Sequence, residues 1–243
     1  MDRHGDYGYD APYALLTFAG LGCVGTVAAL VASLAGSPRR VVLTTLAYAA
    51  FFAANALSFL YTTRRGKFRV WQETLDELRL RGGERALDLG CGRGAVTVAV
   101  AERVPNGAVI GVDRWSARDQ SGNAPAVAAR NARVEGVDAR IRLATADMRA
   151  LPFRGETFDL VVSSLAIHNI PGSSSRAQAV AEAYRVLKPG GRVALADIRR
   201  PVRYAKTLIG LGAIEVRHRR LGWRFWYGNP FAGTTLVLAS KPK

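Results

Sequence analysis

The sequence predicts an α/β chain: a doubly wound sheet preceded by a two-helix hairpin that spans a membrane. Three observations predict it. Two uncharged apolar stretches, residues 11–36 and 41–63, open the 243-residue chain. From residue 84 onward, short apolar runs alternate with helical patterns, as in a parallel sheet covered on both faces. A glycine cluster, Gly90, Gly92 and Gly94, follows the first of those runs, where sheets of this class hold a ligand.

Composition narrows the class. The chain is 49% hydrophobic, which excludes disorder, and two cysteines, Cys23 and Cys91, exclude a disulfide scaffold. Residues 1–10 form an acidic tail. Each apolar stretch exceeds the roughly 20 residues needed to cross a hydrocarbon core. Gly36, Ser37 and Pro38 end the first helix and place Arg39 and Arg40 at a headgroup surface. Small residues recur every fourth position (Gly25, Ala29, Ser33 and Ala28, Ala32, Gly36; then Ala50, Ala54, Ser58), a spacing that lets two helices approach closely in lipid. Asn55, the only amide in either stretch, is expected to bond across the hairpin. A cleaved signal peptide is excluded by the acidic leader and by the second stretch that follows at once. Arg3, Arg64, Arg65, Lys67 and Arg69 flank the outer ends against Arg39 and Arg40 in the turn, which puts both termini and the globular domain in the cytoplasm.

The net charge is +15, of which residues 1–69 supply +4 and the remainder +11. The arginines are scattered and form no dense run, so anionic lipid headgroups are a better partner than nucleic acid. Over residues 64–83, Phe68, Trp71, Leu75 and Leu78 repeat at helical steps and give an amphipathic helix, which either lies on the bilayer or covers the domain. In the domain, residues 84–243, strands fit Arg85–Leu89, Ala108–Val112, Arg140–Leu143, Phe158–Ser163, Arg192–Ala196, Ala213–Arg217 and Thr234–Ala239. Helices fit 95–104, 124–135, 174–187 and 201–210. No helical pattern separates the last two strands, which are therefore expected as an antiparallel pair at one edge.

The first strand runs into Asp88-Leu89-Gly90-Cys91-Gly92-Arg93-Gly94, a turn that lets backbone approach a ligand ahead of a helix N-terminus. Asp113 ends the second strand, 19 residues after Gly94, placed to accept from two ribose hydroxyls. Asp147 and Met148 follow the third, a carboxylate for an adenine amino group beside an apolar contact. Asp88 lies close enough to meet a cationic amine, and Cys91 reads as a small inert filler. A dinucleotide site prefers G-x-G-x-x-G, whereas here the third glycine comes one residue early, and it gives no reason for Asp88 or Asp147.

D-x-G-x-G-x-G, the strand-end acid, A-D-M, F-D-L-V-V-S-S and L-K-P-G-G together resemble the class I S-adenosylmethionine-dependent methyltransferases, nearest to the quinone and sterol branch. The resemblance covers about residues 70–240. It implies a Rossmann-like sheet of seven strands with a reversed last hairpin. It also implies S-adenosylmethionine as cofactor, with Gly90, Gly92 and Gly94 against its methionine moiety, Asp113 on ribose, and Asp147 with Met148 on adenine. Arg114, Trp115 and Ser163 fall on the same side. The hairpin followed by this domain also resembles small bacterial membrane-bound methyltransferases.

Four segments should surround the transferred methyl group: 115–123, 163–171, 197–200 and 222–230. His168, the only histidine among them, is the candidate general base, and its plainer reading is a loop histidine bonded to backbone. Asp119 is the alternative base or its orienting partner. Gln120, Asn123 and Asn169 are candidates for holding the acceptor. Trp223, Trp226 and Tyr227 either wall a lipophilic acceptor, dip into the membrane interface, or pack the edge hairpin. Phenolic or quinol oxygen, thiol and phospholipid amine all remain open as acceptors, as do a non-catalytic membrane-tethered adaptor or sensor that only binds S-adenosylmethionine and, behind it, an RNA methyltransferase, which would need a contiguous basic face. No metal is expected, since His4, His168 and His218 and the two cysteines lie far apart.

Overall fold

The computed structural model describes residues 3–116, 119–198 and 201–243. Two apolar helices, α1 (Pro12–Leu34) and α2 (Arg39–Tyr61), form an antiparallel pair, each 23 residues long. By length and composition both are long and apolar enough to cross a membrane. Their seam is made of small residues. A side-chain carbon on Gly25 would stand 3.0 Å from the Ala49 methyl, and one on Gly22 3.3 Å from the Ala53 amide nitrogen. The seam therefore uses Gly22, Gly25 and Ala29 on α1, but on α2 it runs one residue away from the expected Ala50, Ala54 and Ser58. Asn55 also departs from expectation: it is buried, yet bonds Phe51 of its own helix and a distant loop rather than α1.

The charges at Arg64, Arg65 and Lys67 interrupt the apolar run but not the helix. α2 continues through a π turn (Thr62–Gly66) into α3 (Lys67–Glu77), giving one rod from Arg39 to Glu77. The π turn brings Gly66 against the Arg224 carbonyl so closely that a side chain there would collide with it. α3 buries Val70, Trp71 and Leu75 in the core, so it covers the domain.

The domain is a seven-stranded sheet in the order β3-β2-β1-β4-β5-β7-β6. Its strands are β1 (Arg85–Leu89), β2 (Ala108–Asp113), β3 (Ile141–Thr145), β4 (Phe158–Ser164), β5 (Leu187–Asp197), β6 (Ile214–Arg220) and β7 (Thr235–Ser240). β1 to β5 pair in parallel, and β7 inserts antiparallel between β5 and β6. Strands β1 and β4 are buried nearly throughout because both of their faces are covered. Helices α4 (Ala95–Arg103) and α5 (Pro125–Val134) lie with α3 on one core, and α6 (Ser173–Arg185) with α7 (Pro201–Gly210) on the other. β5 begins five residues ahead of the expected strand, because Leu187 pairs with Phe158 across a register shift. The exposed edge strand β6 carries Arg217, Arg219 and Arg220, charges that discourage pairing with another chain. Parallel order brings the carboxyl ends of β1, β2, β3, β4 and β5 to one side, and that side faces the foot of the α1–α2 pair.

Candidate active site

β1 ends at Leu89 and the chain turns through Gly90, Gly92 and Gly94, with φ of 70°, 52° and 85°. A side chain on Gly90 would collide with Ala166 and approach Met148 Cε to 3.3 Å, and one on Gly92 would meet the Gln120 amide. Only glycine satisfies both the backbone and the space. Gly94 caps α4 in the left-handed conformation, and its carbonyl accepts from Val98 N at 2.9 Å.

Three carboxylates border this turn in different states. Asp88 is buried, and its Oδ2 accepts from Thr97 Oγ1 at 2.7 Å. Burial pushes its carboxyl up to about 7; the Thr97 bond opposes the rise and the Asp113 charge adds to it. Such a group regains its charge when a cation is set beside it. Asp113 binds its own surroundings together: Oδ2 accepts from Gly92 N at 2.8 Å, and Oδ1 from Trp115 N at 2.6 Å and Asn123 Nδ2 at 3.2 Å. Asp147 is clamped by Arg149, whose Nε lies 3.0 and 3.1 Å from its two oxygens and whose Nη2 lies 2.5 Å from one of them. The Arg149 hydrogen bonds hold the Asp147 carboxyl down at about 2. Cys91 is buried beside Asp88 and Asp113; burial first, then those charges, pushes its thiol up and keeps it inert.

Across the turn, β4 leads to Leu165, a non-glycine residue with φ of 56°, and then to His168. Positive φ at such a residue is strained, and strain of this kind gathers at functional sites. His168 Nδ1 lies 2.6 Å from Asp197 Oδ1, and its backbone N–H donates to Oδ2 at 3.0 Å. Ile198 N and Tyr204 Oη donate to the same buried carboxylate at 2.8 and 3.0 Å. Held in this way, Nδ1 carries the proton and Nε2 is left as the acceptor. One cavity of about 730 Å³ is lined by Asp88, Asp113 and Asp147 and also by His168, Trp71 and Phe59.

A third layer comes from the segment ahead of α1. Arg93, next to the glycine turn, donates from Nη2 to Asp6 Oδ2 at 2.6 Å and from Nη1 to the Ser121 carbonyl at 2.6 Å. Asp10 accepts from Lys67 Nζ at 2.8 Å, Gln120 Nε2 at 2.9 Å and Tyr227 Oη at 2.9 Å. Gln120 Oε1 in turn accepts from Arg93 N at 2.8 Å. The first residues thus strap the glycine turn to the foot of the apolar helices.

Residues 86–191 match the family model described as a methyltransferase domain. Over this segment the chain is similar to an S-adenosylmethionine-dependent methyltransferase domain. The family's methyl donor is S-adenosylmethionine, and the bare backbone at Gly90 and Gly92 on the cavity wall, with buried Asp88, fits a sulfonium nucleoside bearing an ammonium group. The chain is 34% identical over 127 residues to the demethylmenaquinone methyltransferase of Lactobacillus johnsonii, covering 51% of this chain and 48% of that one. It is 33% identical over 129 residues to the ubiquinone/menaquinone biosynthesis C-methyltransferase UbiE of Dinoroseobacter shibae, covering 53% and 48%. The chain thus spans about half the length of these curated relatives. The crystal structure of the [4+2]-cyclase SpnF aligns at TM-score 0.61 and 20% identity, over 74% of this chain and 83% of that one. At that identity the likeness is one of fold, and it shows that the methyltransferase fold also hosts other chemistry.

Within the methyltransferase domain, the sequence-derived candidates fall into two sets. Asp88, Gly90, Cys91, Gly92, Asp113, Arg114, Asp147 and Met148 line the cavity, as do Asp119, Gln120, Asn123, His168, Asn169 and Tyr227. The residue bonded to His168 is Asp197 and not the expected Asp119. Ser163 is buried, its hydroxyl on the Leu89 carbonyl at 2.8 Å, and Ser164 faces the cavity in its place. Trp115 turns its indole to Thr145 Oγ1. Trp223 stacks on Tyr61 with ring centroids 5.1 Å apart, and Trp226 bridges to Gly233, so neither reaches the cavity. Of the expected acceptor loops, residues 117–118 and 199–200 lie outside the described residues. Sequence reasoning missed Asp197 as a partner, though an acid ending a buried strand needs one. It also missed Asp10 and Lys67, which carried no sequence signal.

Proposed function

We propose that the chain is a membrane-anchored methyltransferase acting on a lipophilic hydroxyl compound such as a quinol. One observation carries this reading: the oriented His168–Asp197 pair shares one cavity with the glycine turn and its acids. S-adenosylmethionine, when bound, supplies an electrophilic methyl group on a sulfonium. Asp88 would meet the ammonium of its methionine part, Asp113 the ribose, and Asp147 the adenine if Arg149 released it. An acceptor hydroxyl at His168 would lose its proton to Nε2, and buried Asp197 would stabilise the resulting imidazolium; the methyl group would come from the cofactor's S–CH3 bond, leaving S-adenosylhomocysteine. Asn169 and Asn123 offer amide groups to orient the acceptor.

The anchoring reading rests on the length and apolarity of α1 and α2, with the arginine flanks placing the domain in the cytoplasm. The quinone-like acceptor rests on the activities of the relatives, one of them a C-methyltransferase, and the choice of a hydroxyl oxygen rests on the His168–Asp197 pair alone. The second reading is a site that binds the cofactor without transferring its methyl group. Incubating the full chain with labelled S-adenosylmethionine and total membrane lipids tests both. Label in a lipophilic product, lost in His168→Ala, is expected. Cofactor binding with no labelled product would remove the transferase reading.

A further inference from the structure

The cavity does not stop at the methyltransferase domain. Ala11, Ala14 and Phe18 recur at helical spacing along one face at the foot of α1, and all three line it. Seven residues of helix rise about 10 Å, so this wall climbs two turns of an apolar helix. Phe59 of α2 stands opposite, its ring centroid 6.4 Å from that of Phe18. Trp71 forms the inner wall, its indole N–H fixed on Ser164 Oγ at 2.9 Å. The chain at Gly228 closes one side so tightly that a side-chain carbon there would lie 3.1 Å from the Phe18 ring. A helix that served only as a tether would give its foot to lipid or to a linker. Here it gives two turns to the cavity wall, where, among the described residues, the charges on α3 and just ahead of α1 are Lys67 and Asp10, paired at 2.8 Å.

The geometry points to a tail-binding subsite for a hydrocarbon chain, bounded by Ala14, Phe18, Phe59, Trp71, Ile198 and Ala232, in continuity with the cofactor cavity. It rests on the reading that His168 faces the acceptor. The ligand class is an amphiphile with a hydroxyl-bearing ring and an alkyl or isoprenoid-like tail: the ring lies at His168 and the tail passes between the helix feet. The apolar helices are then part of the binding site and not only an anchor.

Binding of 1,4-naphthoquinone and of its decyl-substituted form to the full chain tests this, read by quenching of tryptophan fluorescence in a single detergent. Each buried methylene contributes about 0.8 kcal/mol, so three of them in the subsite raise affinity by more than about tenfold. Ala14→Phe fills the subsite and reduces that gain to under about twofold, whereas Leu16→Phe, on the exposed side of α1, keeps it. Calorimetric S-adenosylhomocysteine binding unchanged in both variants shows that the domain is intact. Equal affinity for the two quinones in the parent chain, or a full gain in Ala14→Phe with intact cofactor binding, overturns the proposal. Because binding is read and not turnover, a gain that persists without methyl transfer supports the subsite while removing the reaction.

Discussion

Asn229 Nδ2 donates to Asn55 Oδ1 at 2.8 Å, joining the β6–β7 segment to an amide set in the second apolar helix. Asn55 is six residues before the end of α2, about 9 Å along its axis. Non-helical backbone is tolerated beside such a helix only where its polar groups find partners in protein. Thr62 Oγ1 supplies another, donating to the Trp226 carbonyl at 2.5 Å.

Asn229→Ala leaves Asn55 Oδ1 buried without that donor, a loss of about 1–3 kcal/mol. The expected outcome is a lower thermal midpoint and new protease cleavage within residues 222–233. Cleavage patterns identical to those of the parent chain would show that the segment docks by other contacts.

His168→Ala should lower kcat by about 10²–10⁴ and leave cofactor affinity unchanged, because the ring lies at the acceptor end of the cavity. Asp197→Asn presents an amide to Nδ1, inverts the tautomer and should lower kcat as well. A variant that lost cofactor binding in step with turnover would make the pair structural.

Asp88 gives a pH signature. Folded, its carboxyl stays protonated up to about 7; unfolded, it ionises above about 4. The folded chain therefore holds the extra proton across that window, and this group's contribution to stability falls as pH rises from about 4 to 7. A bound ammonium favours the ionised form, so cofactor affinity should rise through pH 6–7. It should fall again above about 8, where an α-amino group loses its charge. Calorimetry in buffers of different ionisation heats should detect proton release below pH 7, and Asp88→Asn should abolish it.

Arg93 is buried and holds both the strap and the loop after β2. Hydrogen bonds to charged groups contribute about 1.5–3 kcal/mol. Arg93→Ala should speed hydrogen exchange in residues 3–10 and 119–123 and weaken cofactor binding about tenfold. Unchanged exchange in residues 3–10 would show that Arg3 and Tyr7, bonded to Glu102 and Glu135, hold the strap alone.

The strands, the glycine turn and its three acids were legible because each is local: an apolar run, a turn residue, an acid at a strand end. The helix seam was half legible. Alanines at 47, 49, 50, 53 and 54 mark two faces of α2, and periodicity does not say which one meets α1. The strap was not legible at all, since Asp6 and Arg93 stand 87 residues apart and Tyr7 and Glu135 stand 128 apart. Asp10 looked like a solvated charge ahead of an apolar stretch. Its role arises only when Lys67, Gln120 and Tyr227 converge on it.

The strap also orders the birth of the molecule. Arg3 leaves the ribosome first, but Glu135 emerges only after about 7–26 s at 5–20 residues per second. The opening residues must therefore wait, unpaired, while everything they will clasp is still being synthesised. The α1–α2 pair must by then have folded back on itself, because only an antiparallel pair returns the chain to the end where residues 3–10 meet the domain.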